Sequence, residues 1–206
     1  MIQTPVLPES LAGDATFAIL SAGQAPGPTV AKRAAGLGAE VVAMDRDPAV
    51  LARLMSQSPA RVEGLALAGD LVSRFEPLYR NWGGTPLHLV LNLMPLDPDD
   101  CAKGMDAQIR GLSALVRALG RGLVAGQGSV VTVLPRPSQP LALAGHGMIG
   151  AFEAANAALD KVFGARGLHF HLITVPEGQA DLAADSTLFL GSEAGRRLRS
   201  GRLDLG

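Results

Sequence analysis

The stretch that most constrains this chain runs over residues 18–45, AILSAGQAPGPTVAKRAAGLGAEVVAMD. Phe17-Ala18-Ile19-Leu20 is a short apolar run of the kind buried inside a parallel sheet. Gly23 and Gly27 bracket a turn where the backbone can approach a ligand closely. Pro28 suits the first turn of a helix, because its missing N–H would be unpaired there anyway. Residues 29–37 continue that helix, Gly38 ends it, and residues 40–44 form a second strand with Asp45 at its carboxyl end. A helix N-terminus behind a glycine turn attracts anions. A carboxylate about 20 residues further on is placed to hold an adenosine ribose. The stretch therefore reads as strand, turn, helix and strand around a dinucleotide crevice, with Thr29 where the strict fingerprint has its third glycine.

The remaining residues repeat that alternation. Asp47 caps and Pro48 opens a helix to about residue 56, followed by a strand over 62–67. Helical spacing returns over 71–82, with Leu71, Phe75 and Leu78 on one side, until residues 83–86 (GGTP) break it. A strand buried on both faces spans 87–93, and one long helix spans 99–123, capped by Asp99 or Asp100, with Leu112, Leu115 and Leu119 as its apolar row. A strand at 129–134, a small-residue helix at 145–163 and a strand at 168–175 follow. A short helix at 193–199 then precedes a last strand at 202–205. About seven strands alternating with helices mean an α/β, doubly wound, Rossmann-like parallel sheet with helices on both faces. No linker or repeat divides it, so residues 1–206 read as a single domain, with 1–14 an N-terminal arm.

Composition narrows the function classes. Apolar residues make up 48% but aromatics only 4%, so the core must be built from Ala, Leu and Val. A net charge of −1 gives no electrostatic reason to expect nucleic acid or an anionic membrane. The single cysteine, Cys101, excludes an intrachain disulfide. No apolar run approaches the roughly 20 residues of a membrane helix. The opening MIQTPVLPES has no basic region followed by an apolar one, which leaves a cytoplasmic location as the expectation.

Several motifs fall in a telling order. Ala22-Gly23 with Gly27 is similar to a turn of Thr-Gly, three residues, Gly-x-Gly; Gly69-Asp70-Leu71 is similar to an Asp-Val element that touches adenine. Residues 89–94 (LVLNLM) occupy the place of an Asn-Asn-Ala-Gly strand and keep Asn92. Residues 128–133 (GSVVTV) are similar to a strand leading to a catalytic serine, and Val175-Pro176-Glu177-Gly178 to a Pro-Gly turn beside nicotinamide. Residues 189–192 and 201–203 match a last helix and strand. Together these resemble the short-chain dehydrogenase/reductase family over nearly the whole chain. The resemblance implies NAD as cofactor, with Gly23, Gly27, Thr29, Asp45, Asp70 and Asn92 as its binding residues; Asp45 stands where members preferring NAD carry an acid.

That family's chemistry uses a tyrosine acid/base, a lysine four residues on that lowers its pKa, an orienting serine and a supporting asparagine. The only tyrosine here is Tyr79, in an earlier helix. The tyrosine position falls at Gly145 or His146, the lysine position at Ile149 or Gly150, the serine position at Leu134 or Pro135, and the asparagine position at Gln108. The resemblance therefore implies a catalytically degenerate member: an NAD(H)-binding sensor, scaffold or partner subunit. An oxidoreductase with its acid/base moved to His146 or Ser138 is a second reading, and a structural homodimer without nucleotide is a third.

Other polar residues have structural explanations. His169 and His171 share one face of a buried strand; without a neighbouring Cys, Asp or Glu in sequence they give no metal site. Cys101 reads as a small apolar filler, and the C-terminal arginines as a solvated helix face. In the resembled family the helices corresponding to 99–123 and 145–163 pair across a two-fold axis, and a helix with small or apolar residues all round needs cover on all sides. A homodimer through these helices is the expectation.

Overall fold

The computed structural model describes residues 15–57, 60–139 and 141–206, so the expected arm at 1–14 lies outside the described residues. Its strands are β1 (Thr16–Leu20), β2 (Glu40–Asp45), β3 (Val62–Ala66), β4 (Leu89–Asn92), β5 (Ser129–Pro135), β6 (His169–Val175) and β7 (Gly201–Asp204). All pair in parallel in the order β3-β2-β1-β4-β5-β6-β7. The order reverses between β1 and β4, and that is the switch point where open α/β sheets bind ligands, outside the carboxyl ends of the strands.

The helices are α1 (Gly27–Gly36), α2 (Pro48–Gln57), α3 (Glu76–Asn81), α4 (Pro98–Cys101), α5 (Met105–Gly126), α6 (Leu143–Phe163) and α7 (Ala180–Gly191). Strand side chains alternate between two cores. Phe17, Ile19, Leu91, Val131 and Ile173 join Val30, Leu51 and Leu188 on the α1, α2 and α7 side. Ala18, Leu20, Val90, Phe170 and Leu172 join Phe75, Leu115 and Phe152 on the α3, α5 and α6 side. The central strands are thus apolar in runs because both faces are covered. No helix among the described residues is long and apolar enough to cross a membrane.

Asp47 caps α2 as expected, its Oδ1 accepting the Ala49 N–H at 2.8 Å. Three of the expected helices differ from the sequence reading. The helix over 99–123 is two helices, and its cap is Asp97, whose Oδ1 accepts the N–H groups of Asp99 and Asp100 at 3.0 and 3.2 Å. Gly104, at φ +84, then turns the chain out of α4 and into α5, a conformation that side chains disfavour. Residues 71–82 split into a 3-10 turn, Ser73–Phe75, and α3. The short helix at 193–199 is only a 3-10 turn, Gly195–Arg197, and the helix that packs there is α7, which the sequence reading did not delimit. Its sequence, ADLAADSTLFLG, gathers no clear apolar stripe, because both polar and apolar positions are covered by β5, β6 and α1.

Candidate functional site

The turn between β1 and α1 sits at the switch point, and its hydrogen bonds turn inward. The Gly23 N–H donates to Asp45 Oδ2 at 2.9 Å. The Gln24 N–H donates to the Ser21 carbonyl at 2.9 Å, and the Gly27 N–H to the Gln24 carbonyl at 2.7 Å. Pro26 and Pro28 have no N–H to offer. Pro26 is also the residue that precedes the helix, and no side chain caps it. Among the described residues this leaves the N–H groups of Ala25 and Thr29 as the donors that the turn does not use. The two glycines are explained by packing alone. A Cβ on Gly27 would lie 2.5 Å from the Ala22 carbonyl oxygen, and one on Gly23 would lie 2.8 Å from Val50 Cγ1.

Beside the turn, a cleft of about 430 Å³ opens between the ends of β1 and β2 and the segment after β4. Asp45 lines it half-buried, with Oδ1 accepting the Asp47 N–H at 3.0 Å. Arg46 reaches across to Asp97 at 2.7 Å and Asp99 at 3.1 Å, which ties β2 to the α4 segment. Asp47 is the fourth carboxylate on its wall. The field in the cleft is therefore negative, with Arg46 as its one cation.

Asp70 and Asn92 hold the backbone. Asp70 Oδ1 accepts the N–H groups of Ser73 and Val72 at 2.9 and 2.8 Å, and these bonds keep its carboxyl below the usual range. Asn92 is fully buried; its Nδ2 donates to Thr132 Oγ1 at 3.2 Å and its Oδ1 accepts the Met94 N–H at 3.2 Å. Of the expected binding residues, Gly23, Gly27, Thr29 and Asp45 come together at one turn, Asn92 stands one strand away, and Asp70 belongs to the turn after β3.

A second cleft, of about 550 Å³, lies at the carboxyl ends of β5 and β6. Pro26, Leu96, Arg136, Ser138, Glu177 and Gln179 are on its walls. Ser138 is exposed there with no hydrogen bond among the described residues, whereas His146 is exposed on the first turns of α6 and is not on the wall. Ile149 is 4% exposed and packs in the core with Phe152, so an ammonium at that position would be buried among apolar groups. Gln108 is fully buried, its Nε2 donating to the Met94 carbonyl at 3.4 Å and its Oε1 without a partner. Tyr79 is 57% exposed on α3, which packs on α5.

Two groups escaped sequence reasoning. One is the Arg46 clamp. The other is a buried triad in which Asp100, fully buried, accepts from Arg74 at 2.8 and 2.7 Å and from Lys103 at 3.0 Å. Burial alone would raise the Asp100 pKa, but the bonds from Arg74 and Lys103 outweigh it and hold the carboxyl below its usual value. Arg74 and Asp100 are 26 residues apart, and no periodicity links them.

Far from both clefts, towards the amino ends of the strands, polar atoms go unpaired. His171 is 1% exposed, and neither ring nitrogen has a partner among the described residues. Burial, with the neighbouring His169 assisting, lowers its pKa to about 4, against a smaller opposing pull from Asp160. Ser129 Oγ, His169 Nδ1 and Arg196 Nε are likewise unpaired. Among the described residues no cluster of three or more His, Cys, Asp or Glu could hold a metal.

No family model matches the sequence, and no curated protein matches it. Solved structures do resemble the fold. An oxidoreductase of the short-chain dehydrogenase/reductase family from Burkholderia thailandensis superposes with a TM-score of 0.73 at 17% identity, over 93% of this chain and 91% of that one. A metagenomic short-chain oxidoreductase in complex with NADP gives 0.73 at 16% identity, over 95% and 97%. A structure described as ribose-5-phosphate isomerase from Brucella melitensis 16M gives 0.70 at 17% identity, over 96% and 93%. The chain thus has the Rossmann-like fold of short-chain dehydrogenase/reductases.

Proposed function

We propose that this chain keeps the short-chain dehydrogenase fold without its hydride chemistry and acts as a scaffold or partner subunit. The observation that carries this reading is the turn at residues 21–29. Asp45 suits the ribose of an adenosine, but a dinucleotide also needs backbone N–H groups for its pyrophosphate. Those of Gly23, Gln24 and Gly27 are taken up inside the turn and two prolines supply none, which leaves only Ala25 and Thr29 to donate, too few for a pyrophosphate cradle. The negative cleft alongside adds repulsion for a phosphate. The residues present therefore do not fit the phosphate end of NAD or NADP, and no step of a reaction is routed through either.

The catalytic side agrees. With Ile149 in the core and no phenol on α6, nothing in the second cleft matches a tyrosine activated by a lysine. Calorimetric titration with NAD(H) and NADP(H) tests the reading directly: no heat at millimolar cofactor supports it. Micromolar binding that weakens in Asp45→Ala would restore the sensor reading instead. Turnover with a carbonyl substrate that disappears in His146→Ala or Ser138→Ala would restore the relocated acid/base.

Self-association belongs to the same proposal. Three residues of α6 are buried (Ile149, Phe152 and Asn156), against eleven of α5. Gly147, Gly150, Ala154, Ala157 and Ala158 lie exposed along α6. A stripe of small residues lets a second helix approach closely, and a two-fold pairing centred on α6, flanked by α5, would cover it. Light scattering at micromolar concentration should give a dimer; a monodisperse monomer would remove this part of the proposal.

A further inference from the structure

The two edges of the sheet are finished differently. On β7, Arg202 pairs with Asp204 at 2.6 Å and with Glu153 of α6 at 3.1 Å. At the other edge, β3 pairs with β2 over five consecutive residues with no bulge and no proline, and every residue from Glu63 to Ala66 is exposed. The ladder is fixed beyond both ends: the Arg61 carbonyl accepts the Val41 N–H at 2.8 Å, and the Leu67 N–H donates to the Asp45 carbonyl at 2.9 Å. Residues of a parallel strand bond to alternate sides, so Glu63 and Leu65 bond towards β2, and Gly64 and Ala66 turn their N–H and carbonyl groups outward. Among the described residues no strand or side chain takes those outward groups.

Beside this edge, on the α3 side, lies a groove of about 630 Å³. Gly64 faces α2, where a Cβ would lie 3.1 Å from Leu51 Cβ, so Glu63 and Leu65 point the other way, into the groove. Half-buried Val42 and Trp82, with Leu65 at 37% exposed, form its apolar part. Glu40 and Glu63 are its charged groups; Glu40 is paired with Arg61 at 2.7 Å, and Glu63 has no cation among the described residues.

An open edge of this kind is a template for another strand. The strand that fits must set a cation against Glu63 and, two residues on, an apolar side chain over Leu65 and Trp82, because those positions share one face. A second copy pairing edge to edge would bring its own Glu63 to the seam, adding like charge where a cation is called for. We propose that the β3 edge docks an extended basic segment of a partner protein, which adds to the sheet through Gly64 and Ala66 and lays alternating cationic and apolar side chains in the groove.

This proposal rests on the reading that the chain works through partners, and it is tested without any nucleotide. Trp82 is the only tryptophan and stands on the groove wall, so its fluorescence reports occupancy. The probe is a labelled peptide repeating Lys-Thr-Val-Thr, titrated against the full chain and followed by anisotropy and by Trp82 emission. A peptide repeating Glu-Thr-Val-Thr is the control. The Lys peptide should bind and shift the Trp82 emission, and the Glu peptide should do neither. Ala66→Pro removes an outward N–H without touching the ladder to β2, and should weaken binding by at least about tenfold. Glu63→Lys should weaken it by about fivefold, the contribution of one exposed ion pair. Glu193→Lys, beyond α7, should leave binding unchanged. Circular dichroism confirms that each variant is folded, and Glu63→Lys, on an exposed side chain, carries the test if Ala66→Pro does not fold. No binding at millimolar Lys peptide would overturn the proposal, as would equal binding of the Glu peptide or full binding by folded Ala66→Pro. An oligomer that Ala66→Pro dissociates would assign the edge to a second copy instead. Failure of the proposed function shows separately, as cofactor binding by calorimetry.

Discussion

The two ends of the sheet differ in how their polar groups are satisfied. At the carboxyl end, where this fold places ligands, the groups bind one another: Gly23 to Asp45, Arg46 to Asp97 and Asp99, Arg74 and Lys103 to Asp100. Towards the amino end, where no ligand is expected, Ser129, His169, His171 and Arg196 keep buried polar atoms without partners among the described residues. A site ready for an anion holds its donors in reserve. Here the turn takes up the Gly23, Gln24 and Gly27 donors itself, and apart from Gln108 Oε1 the unpaired polar atoms named above lie towards the amino end.

The comparison can be broken from its strongest side first. Arg74→Ala leaves Asp100 buried without its main cation, and should cost about 3–5 kcal/mol in denaturant unfolding. A loss below 1 kcal/mol would mean that the carboxyl end is not locked by this triad.

The amino end should respond to acid. His171 has its folded pKa depressed to about 4 from 6.5, so the folded state favours neutral imidazole. Its contribution is complete above pH 6.5 and is lost as pH falls towards 4, because the unfolded chain binds that proton more readily. The full loss amounts to about 3 kcal/mol. His169 and Asp160 act electrostatically on the same ring, so the measurement is the difference in unfolding free energy between the natural chain and His171→Leu across that pH range. Parallel curves would show that His171 finds a partner in solution.

A smaller effect sharpens the reading of the turn. Gly27→Ala places a methyl 2.5 Å from the Ala22 carbonyl, and should destabilise by about 1–3 kcal/mol with no ligand present. A neutral result would return Gly27 to a ligand role. The smallest expected change comes from Pro28→Ala, which restores one N–H at the start of α1. It should cost about 0.5–1 kcal/mol and leave NAD(H) binding undetectable, since the Gly23, Gln24 and Gly27 donors remain engaged.

Local signals carried most of the fold. Asp47 before Pro48, the apolar run over 41–44, and the glycine turn followed by Asp45 are all readable within a few residues, and the order of elements then fixes a parallel doubly wound sheet. Gly104 was harder to read, because residues 99–104 (DDCAKG) contain nothing apolar enough to break a pattern visibly. The start of α7 was lost for a different reason, since residues 180–191 mix small, acidic and apolar positions with no clear stripe, and only 189–192 read as helix. The site was legible in position and not in state. Spacing put Gly23, Gly27 and Asp45 at one turn, but whether an N–H is free depends on which carbonyl lies 3 Å away. The Arg46 clamp and the Arg74–Asp100 pair join residues 51 and 26 apart, and only folding brings them together.

The prolines at 26 and 28 also act before the chain has folded. Each restricts its own φ in the denatured ensemble, and Pro28 further limits the residue before it. The segment that closes the crevice therefore loses less conformational freedom on folding than a glycine-rich loop of the same length. A flexible loop that waits for a phosphate pays its ordering entropy when the ligand arrives. Here the ordering is built into the covalent chain, so the turn is set when the sheet forms. On the proposed reading, an added donor alone would not make a phosphate site of it, because the loop has lost the disorder from which binding could select.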